Sequence, residues 1–291
     1  MVKKRRKKTK TKNPILKHKL SIGIILFIAF ICFLLSLYSP EQPNDNEPSF
    51  KAAIVDQLSF NDKTKNETFV QTATDILVKG GYTVDYYRGE EVTVGFYKKL
   101  PRYDYDIILF RVHSALTDYE NGFAGPPTGL FTSEEFTDSK YFWEEADLQI
   151  MKANFRYAEG EYFSISSSFI RKKGRYDNAL IIMMGCDGLT CDDMAKAFIY
   201  KGARVYISWN GSVRVEHTDY ATIHLLQNLI LQKQTIRQAI ENTNEIAGPD
   251  PVDGSILSYY PEERENYHIA TNELMMSIAI THDSKENDPG G

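Results

Sequence analysis

From residue 52 onward, apolar blocks alternate with amphipathic stretches in the way that predicts strands alternating with helices. Residues 52–57 (AAIVDQ) read as a first strand, and 68–79 as a helix stopped by Gly80-Gly81. A strand over 82–87 and a short helix near 92–100 follow. The third strand is 106–112 (DIILFRV), with His113 directly after it. The central stretch, ALIIMMGCDGLTCDDMAKAFIYKGARVYISW over 179–209, reads as strand, sharp turn, helix and strand. In it 179–184 is apolar without alternation, as a strand buried on both faces should be. Thr190 or Asp192 can cap the helix, Met194/Phe198 and Ala195/Ile199 pair at i,i+4, and Gly202 stops it.

The pattern continues with an amphipathic helix over 219–233, with Ile223, Leu226, Leu229 and Ile230 on one side. A second helix covers 235–246, ended by Gly248-Pro249, and 255–260 reads as an edge strand. Between the third strand and the central unit, 116–176 breaks the alternation. Its first part is rich in Gly and Pro, its later part (EGEYFSISSSFI) predicts a hairpin, and the whole reads as a flap over one edge of the sheet. The fold class expected is α/β: a doubly wound, mostly parallel sheet with helices on both faces and right-handed crossovers.

The N-terminal pattern differs. Residues 20–38 (LSIGIILFIAFICFLLSLY) contain no charge, and as a helix they would span roughly 28 Å, close to a bilayer's hydrocarbon core. The run is longer than the apolar region of a signal peptide and ends in Leu37-Tyr38 without a small-residue cleavage pattern. An uncleaved transmembrane anchor is therefore favoured over a removed leader. Residues 1–19 hold ten of the 34 Lys and Arg and no acid, which places them on the cytoplasmic side and the rest outside. Residues 39–50 contain three prolines and read as a linker, 51–282 as the outer domain, and 283–291 as a disordered tail. Beyond residue 19 the 24 remaining basic residues face 39 acids, a net charge near −15. That balance argues against nucleic acid as a partner of the outer domain.

The motifs that are missing narrow the chemistry. There is no G-x-G-x-x-G, no GxxxxGK[ST] and no G-x-S-x-G, and the first strand-to-helix turn has no glycine. Dinucleotide, P-loop and α/β-hydrolase readings are disfavoured. What remains is His113 and Cys186, both at carboxyl ends of predicted strands, where open α/β sheets do their binding. An imidazole beside a thiol can take its proton, and the predicted helix after Cys186 would favour the thiolate. The bland reading of each is a packed cysteine and a satisfied histidine.

The DIILFRVHSA block, the ALIIMMGCDGL block with its helix, and KGARVYISWNGSV resemble the caspase–gingipain-like (clan CD) cysteine peptidases. The CHAT-like and clostripain- or gingipain-like branches are the nearest. In that family one hydrophobic strand ends in the catalytic His, usually followed by Gly. A later strand ends in the catalytic Cys, and the next follows a Gly-Ala pair. The resemblance, which spans about 52–246 in element order, implies His113 as general base and Cys186 as nucleophile. It also implies an oxyanion hole from the backbone amides of Ser114 and Cys186. Two positions depart from the family: Ser114 stands where Gly is usual, and Cys191 lies five residues after Cys186. On the outside of a membrane, a Cys186–Cys191 disulfide is the alternative state of the pair.

Other candidates have plainer readings. Asp187 has the charge to read a basic substrate side chain, against helix capping, and Trp209 is a pocket-wall or core aromatic. Asn66 and Asn210 begin glycosylation-acceptor tripeptides. Zinc lacks any standard ligand spacing, and no metal or organic cofactor is implied. The expectation is a membrane-anchored, extracytoplasmic cysteine endopeptidase acting on a peptide or protein substrate. Its alternative is a catalytically silent ectodomain of the same fold that binds a protein or peptide.

Overall fold

Seven residues from Phe50 to Asp56, FKAAIVD, are buried except for Lys51 and form β1, an inner strand of a sheet. The computed structural model describes residues 50–116, 127–154 and 159–269. The expected basic segment, anchor and tail, and the linker up to residue 49, lie outside these residues. Among the described residues no helix is long and apolar enough to cross a membrane.

The other strands of this sheet are β2 (Tyr82–Tyr87), β3 (Ile107–Arg111), β8 (Leu180–Met183), β9 (Val205–Trp209) and β10 (Leu257–Tyr260). They run in the order β10-β9-β8-β3-β1-β2, all pairs parallel except the antiparallel edge strand β10. This is an α/β fold with a mostly parallel six-stranded sheet, and the edge strand expected over 255–260 is β10, Leu257–Tyr260. The chain steps from β1 to β2 on one side and returns to β3 on the other. The winding therefore reverses between β1 and β3, where doubly wound sheets open a crevice at their carboxyl ends.

Strand residues alternate between two apolar layers. On one face Ala52, Ile54, Leu109, Ile182 and Ile207 pack against α1 (Glu67–Lys79), α6 (Val215–Leu226) and α7 (Ile236–Ala247). On the other, Ala53, Val55, Ile108, Phe110 and Ile181 pack against α2 (Val94–Lys99), α4 (Ser167–Lys172) and α5 (Asp193–Tyr200). Local signals set the helix ends. The Asn66 side chain accepts from the Phe69 N–H at 3.0 Å, and Thr235 and Gln238 form a capping box.

Several elements differ from the sequence reading. The strand β1 starts at Phe50, inside the expected linker, because its side chain packs against Tyr82 of β2. The helix expected over 219–233 starts at Val215, and its last turn, Gln227–Leu231, is π-helical. Its buried face carries Thr218, Asp219 and Thr222, which hid its first turns from an apolar count. Asp192 occupies the N-cap position of α5 but pairs with Lys196 at 2.7 Å instead of capping.

The segment read as a flap is largely a second sheet. Here β4 (Ser114–Leu116), β5 (Thr128–Glu135), β7 (Glu161–Ile165) and β6 (Ile150–Asn154) pair antiparallel in that order, beside the short α3 (Phe142–Ala146). Leu130, Ile150, Phe163 and Ile165 are buried in the same apolar cluster as α2 and α4. That burial makes it part of the core. The hairpin expected over 159–170 is instead β6 with β7, and α4 takes its end.

Candidate active site

The ladder between β3 and β8 pairs Phe110 with Met183, and the Met184 N–H continues it to the Phe110 carbonyl at 2.9 Å. His113 and Cys186 each come three residues after this pair, at the carboxyl ends of adjacent parallel strands. The two turns are tied directly. The Ser114 hydroxyl donates to the Cys186 carbonyl at 2.5 Å. A Cβ on Gly185 would lie 2.3 Å from Ser114 Oγ and 2.5 Å from the Val112 carbonyl, so only glycine allows this approach.

Ser114, which stands where the caspase-like pattern has glycine, belongs to the extended β4 and has no left-handed backbone. A side chain there carries no conformational cost. Among the described residues the Cys186 N–H has no hydrogen-bond acceptor.

His113 is half-buried, and its backbone is held on both sides. The N–H donates to Gln57 Oε1 at 3.1 Å, and the carbonyl accepts from the Phe131 N–H at 2.9 Å. Burial, helped by the Arg111 charge, depresses the imidazole from 6.5 to about 4. Its resting form at neutral pH is therefore an uncharged base. Cys186 is also half-buried. Its sulfur accepts from the Val213 N–H at 3.4 Å and donates to the Val213 carbonyl at 3.5 Å, and makes no bond to His113 among the described residues. Burial raises the thiol; the Val213 N–H pulls it down, and Asp187, Asp253 and Asp250 push it further up. The site rests as neutral thiol and neutral imidazole.

The helix expected to favour a thiolate begins only at Asp193, seven residues after the cysteine. The N–H that reaches the sulfur comes from Val213, just before the Arg214 N-cap of α6. Cys186 and Cys191 are both free, so the alternative bridge is not formed.

The structure places the two sequence candidates for a substrate pocket differently. Trp209 is completely buried, donates from Nε1 to Thr218 Oγ1 at 2.9 Å, and is a core residue. Asp187 does not cap α5 and is partly exposed. It sits in the left-handed region (φ 59°), and its oxygens accept from Thr190 Oγ1 at 2.9 Å and Ser212 Oγ at 3.4 Å. The glycosylation candidates are also engaged. Asn66 caps α1 and donates to Asp219 at 2.9 Å, while Asn210 Oδ1 accepts from the Ile256 N–H at 2.9 Å.

Beneath the site lies a charge cluster that the sequence reading missed. Arg111, fully buried as the last residue of β3, donates to Asp56 at 2.8 Å and with two nitrogens to Asp219, each at 2.8 Å. A further bond at 2.7 Å reaches the Thr64 carbonyl. Burial opposes the guanidinium charge, but the two carboxylates hold its pKa above the ordinary value. Asp56 is raised by its own burial against the pull of Arg111. The available signal was an arginine inside an apolar strand, which requires a buried partner.

Cavities lined by the described residues include one of about 530 Å³ around Tyr87, Tyr103 and Tyr105 and one of about 320 Å³ around Lys65, Tyr86 and Arg88. Neither is lined by His113 or Cys186. No group of three metal-capable side chains occurs among the described residues.

No family model matches the chain, and no curated protein does. Solved structures similar to it include the crystal structure of protein GSU0716 from Geobacter sulfurreducens, a Northeast Structural Genomics target. That likeness has 9% identity and a TM-score of 0.41, and covers 76% of this chain and 98% of that one. At this level it carries no functional argument.

Proposed function

We propose that this chain is a caspase-like cysteine endopeptidase, membrane-anchored through residues 20–38 with its α/β domain outside the cell. The observation that carries the reading is the Phe110–Met183 register, which brings His113 and Cys186 to the same level on neighbouring strands. In the reaction Cys186 Sγ attacks a peptide carbonyl while His113 takes the thiol proton. The imidazolium then returns that proton to the departing amine, leaving an acyl-enzyme that water hydrolyses. The Cys186 and Ser114 amides are the oxyanion donors. Because thiol and imidazole both rest neutral, proton transfer accompanies attack rather than preceding it. The sulfur must also leave Val213 to react.

A second reading is supported by that same contact: a silent ectodomain in which Cys186 locks the turn to Val213 and the surface binds a protein or peptide. One experiment separates the two. Full-length protein is screened against a peptide library, and iodoacetamide labelling of Cys186 and Cys191 is compared in native protein by mass spectrometry. The peptidase reading expects cleavage, and Cys186 labelled faster than Cys191. No cleavage with an inert Cys186 establishes the silent reading.

A further inference from the structure

We propose that Gln57 is a positioning residue for His113, its side-chain amide fixing the backbone that carries the imidazole. The inference rests on the dyad reading and goes beyond it, naming a residue in the turn after β1. The physical problem is local. The β1–β3 ladder ends at the pair Asp56–Arg111, so β1 supplies no backbone acceptor for the His113 N–H two residues on. Gln57 directly follows Asp56 and is 2% exposed, and its Oε1 accepts from the His113 N–H across the point where the winding reverses. Together with the bond from the Phe131 N–H to its carbonyl, His113 is anchored from both sheets.

Gln57 is itself held. It opens a 3₁₀ turn, Gln57–Phe60, in which Asp56 Oδ1 accepts from the Ser59 N–H at 3.2 Å and the Asp56 carbonyl from Ser59 Oγ at 2.8 Å. Asp56 is fixed in turn by Arg111. A neutral acceptor suits the place, because the adjoining cluster already holds two carboxylates against one guanidinium. A chain of bonds thus runs from the buried charges to His113, and its last link is the Gln57 amide.

The test uses full-length protein and needs no substrate: the iodoacetamide rate at Cys186, with Cys191 as internal control. Gln57→Met keeps the length of the side chain and removes the amide acceptor. It should slow Cys186 labelling at least about tenfold, as a small misplacement of a catalytic group does, and leave Cys191 unchanged. Gln57→Glu, which burial beside two carboxylates keeps protonated and neutral, retains an acceptor oxygen and should restore most of the rate, which a general packing role would not predict. If Gln57→Met does not fold, Gln57→Asn replaces it, since its amide is withdrawn by one methylene. An undiminished Cys186 rate in the folded acceptor variant overturns the proposal, as does equal slowing at Cys191 or failure of Gln57→Glu to rescue. The His113→Ala control separates the two levels. If it does not slow labelling, the dyad reading itself fails; if it does and Gln57→Met does not, only the positioning role fails.

Discussion

Ser114 and Cys186 are joined by a hydrogen bond from the serine hydroxyl to the cysteine carbonyl at 2.5 Å, which binds the turn after β3 to the turn after β8. The bond uses the side chain that a glycine at this position would lack. Where the caspase-like pattern has glycine, this serine is a strut between the segments that carry His113 and Cys186.

If those halves act as one unit, their losses should not add. Cys186→Ala and His113→Ala are each expected to abolish cleavage of a peptide-library substrate, with the double variant no worse than either. Losses that multiply in the double variant would show two independent groups and count against the mechanism.

Gly185 makes the closeness of the two turns possible. Gly185→Ala would put a methyl group 2.5 Å from the Val112 carbonyl, a backbone atom that cannot move aside cheaply. We expect a loss of about 1–3 kcal/mol, as for overpacking elsewhere, with the labelling rate of Cys186 altered as its turn is pushed away. Chemical denaturation measures the first effect; a variant as stable as the parent would contradict it.

Arg111 offers a larger effect. Arg111→Met leaves Asp56 and Asp219 buried without their cation, which should cost about 3–5 kcal/mol in urea denaturation. Removing the carboxylates as well, in Asp56→Asn/Asp219→Asn on the Arg111→Met background, should recover part of it. Additive losses across the three sites would mean that the charges are not coupled.

Topology can be tested on intact cells. With 20–38 as an uncleaved anchor, protease added outside should digest the α/β domain while the mature chain keeps its basic N-terminus. A mature chain starting near residue 39 would make the apolar run a removed leader.

Much of the parallel sheet was legible because its strands are short apolar runs between helical stretches. That His113 and Cys186 follow the ends of strands was legible from the apolar runs before them. The relation between them was not, since it depends on register and on which strands are neighbours. Trp209 at a strand end read as either a pocket-wall or a core aromatic; here α6 covers it, and Thr218 takes its indole N–H. Asp187 looked like a helix cap because Asp is common there, but the turn needed a residue able to adopt positive φ. Arg111, Asp56 and Asp219 come from three distant stretches, and only folding brings them together.

His113 itself gives a pH test that needs no substrate. Its pKa is about 4 in the folded protein against about 6.5 in an unfolded chain. Between those values the unfolded chain binds a proton that the folded protein does not, so stability rises with pH across this window. Above about 6.5 both forms are neutral and the contribution is flat. As pH falls the protein loses stability progressively, and below about 4 the loss is complete. His113→Gln cannot take up the proton and should lack this part of the slope. At pH 5 its stability relative to the parent should be about 2 kcal/mol more favourable than at pH 7.5, the size expected from those two pKa values. Denaturation curves at both pH values measure the difference. Parallel behaviour of parent and variant would mean that His113 titrates normally, and the neutral resting dyad would then have to be given up.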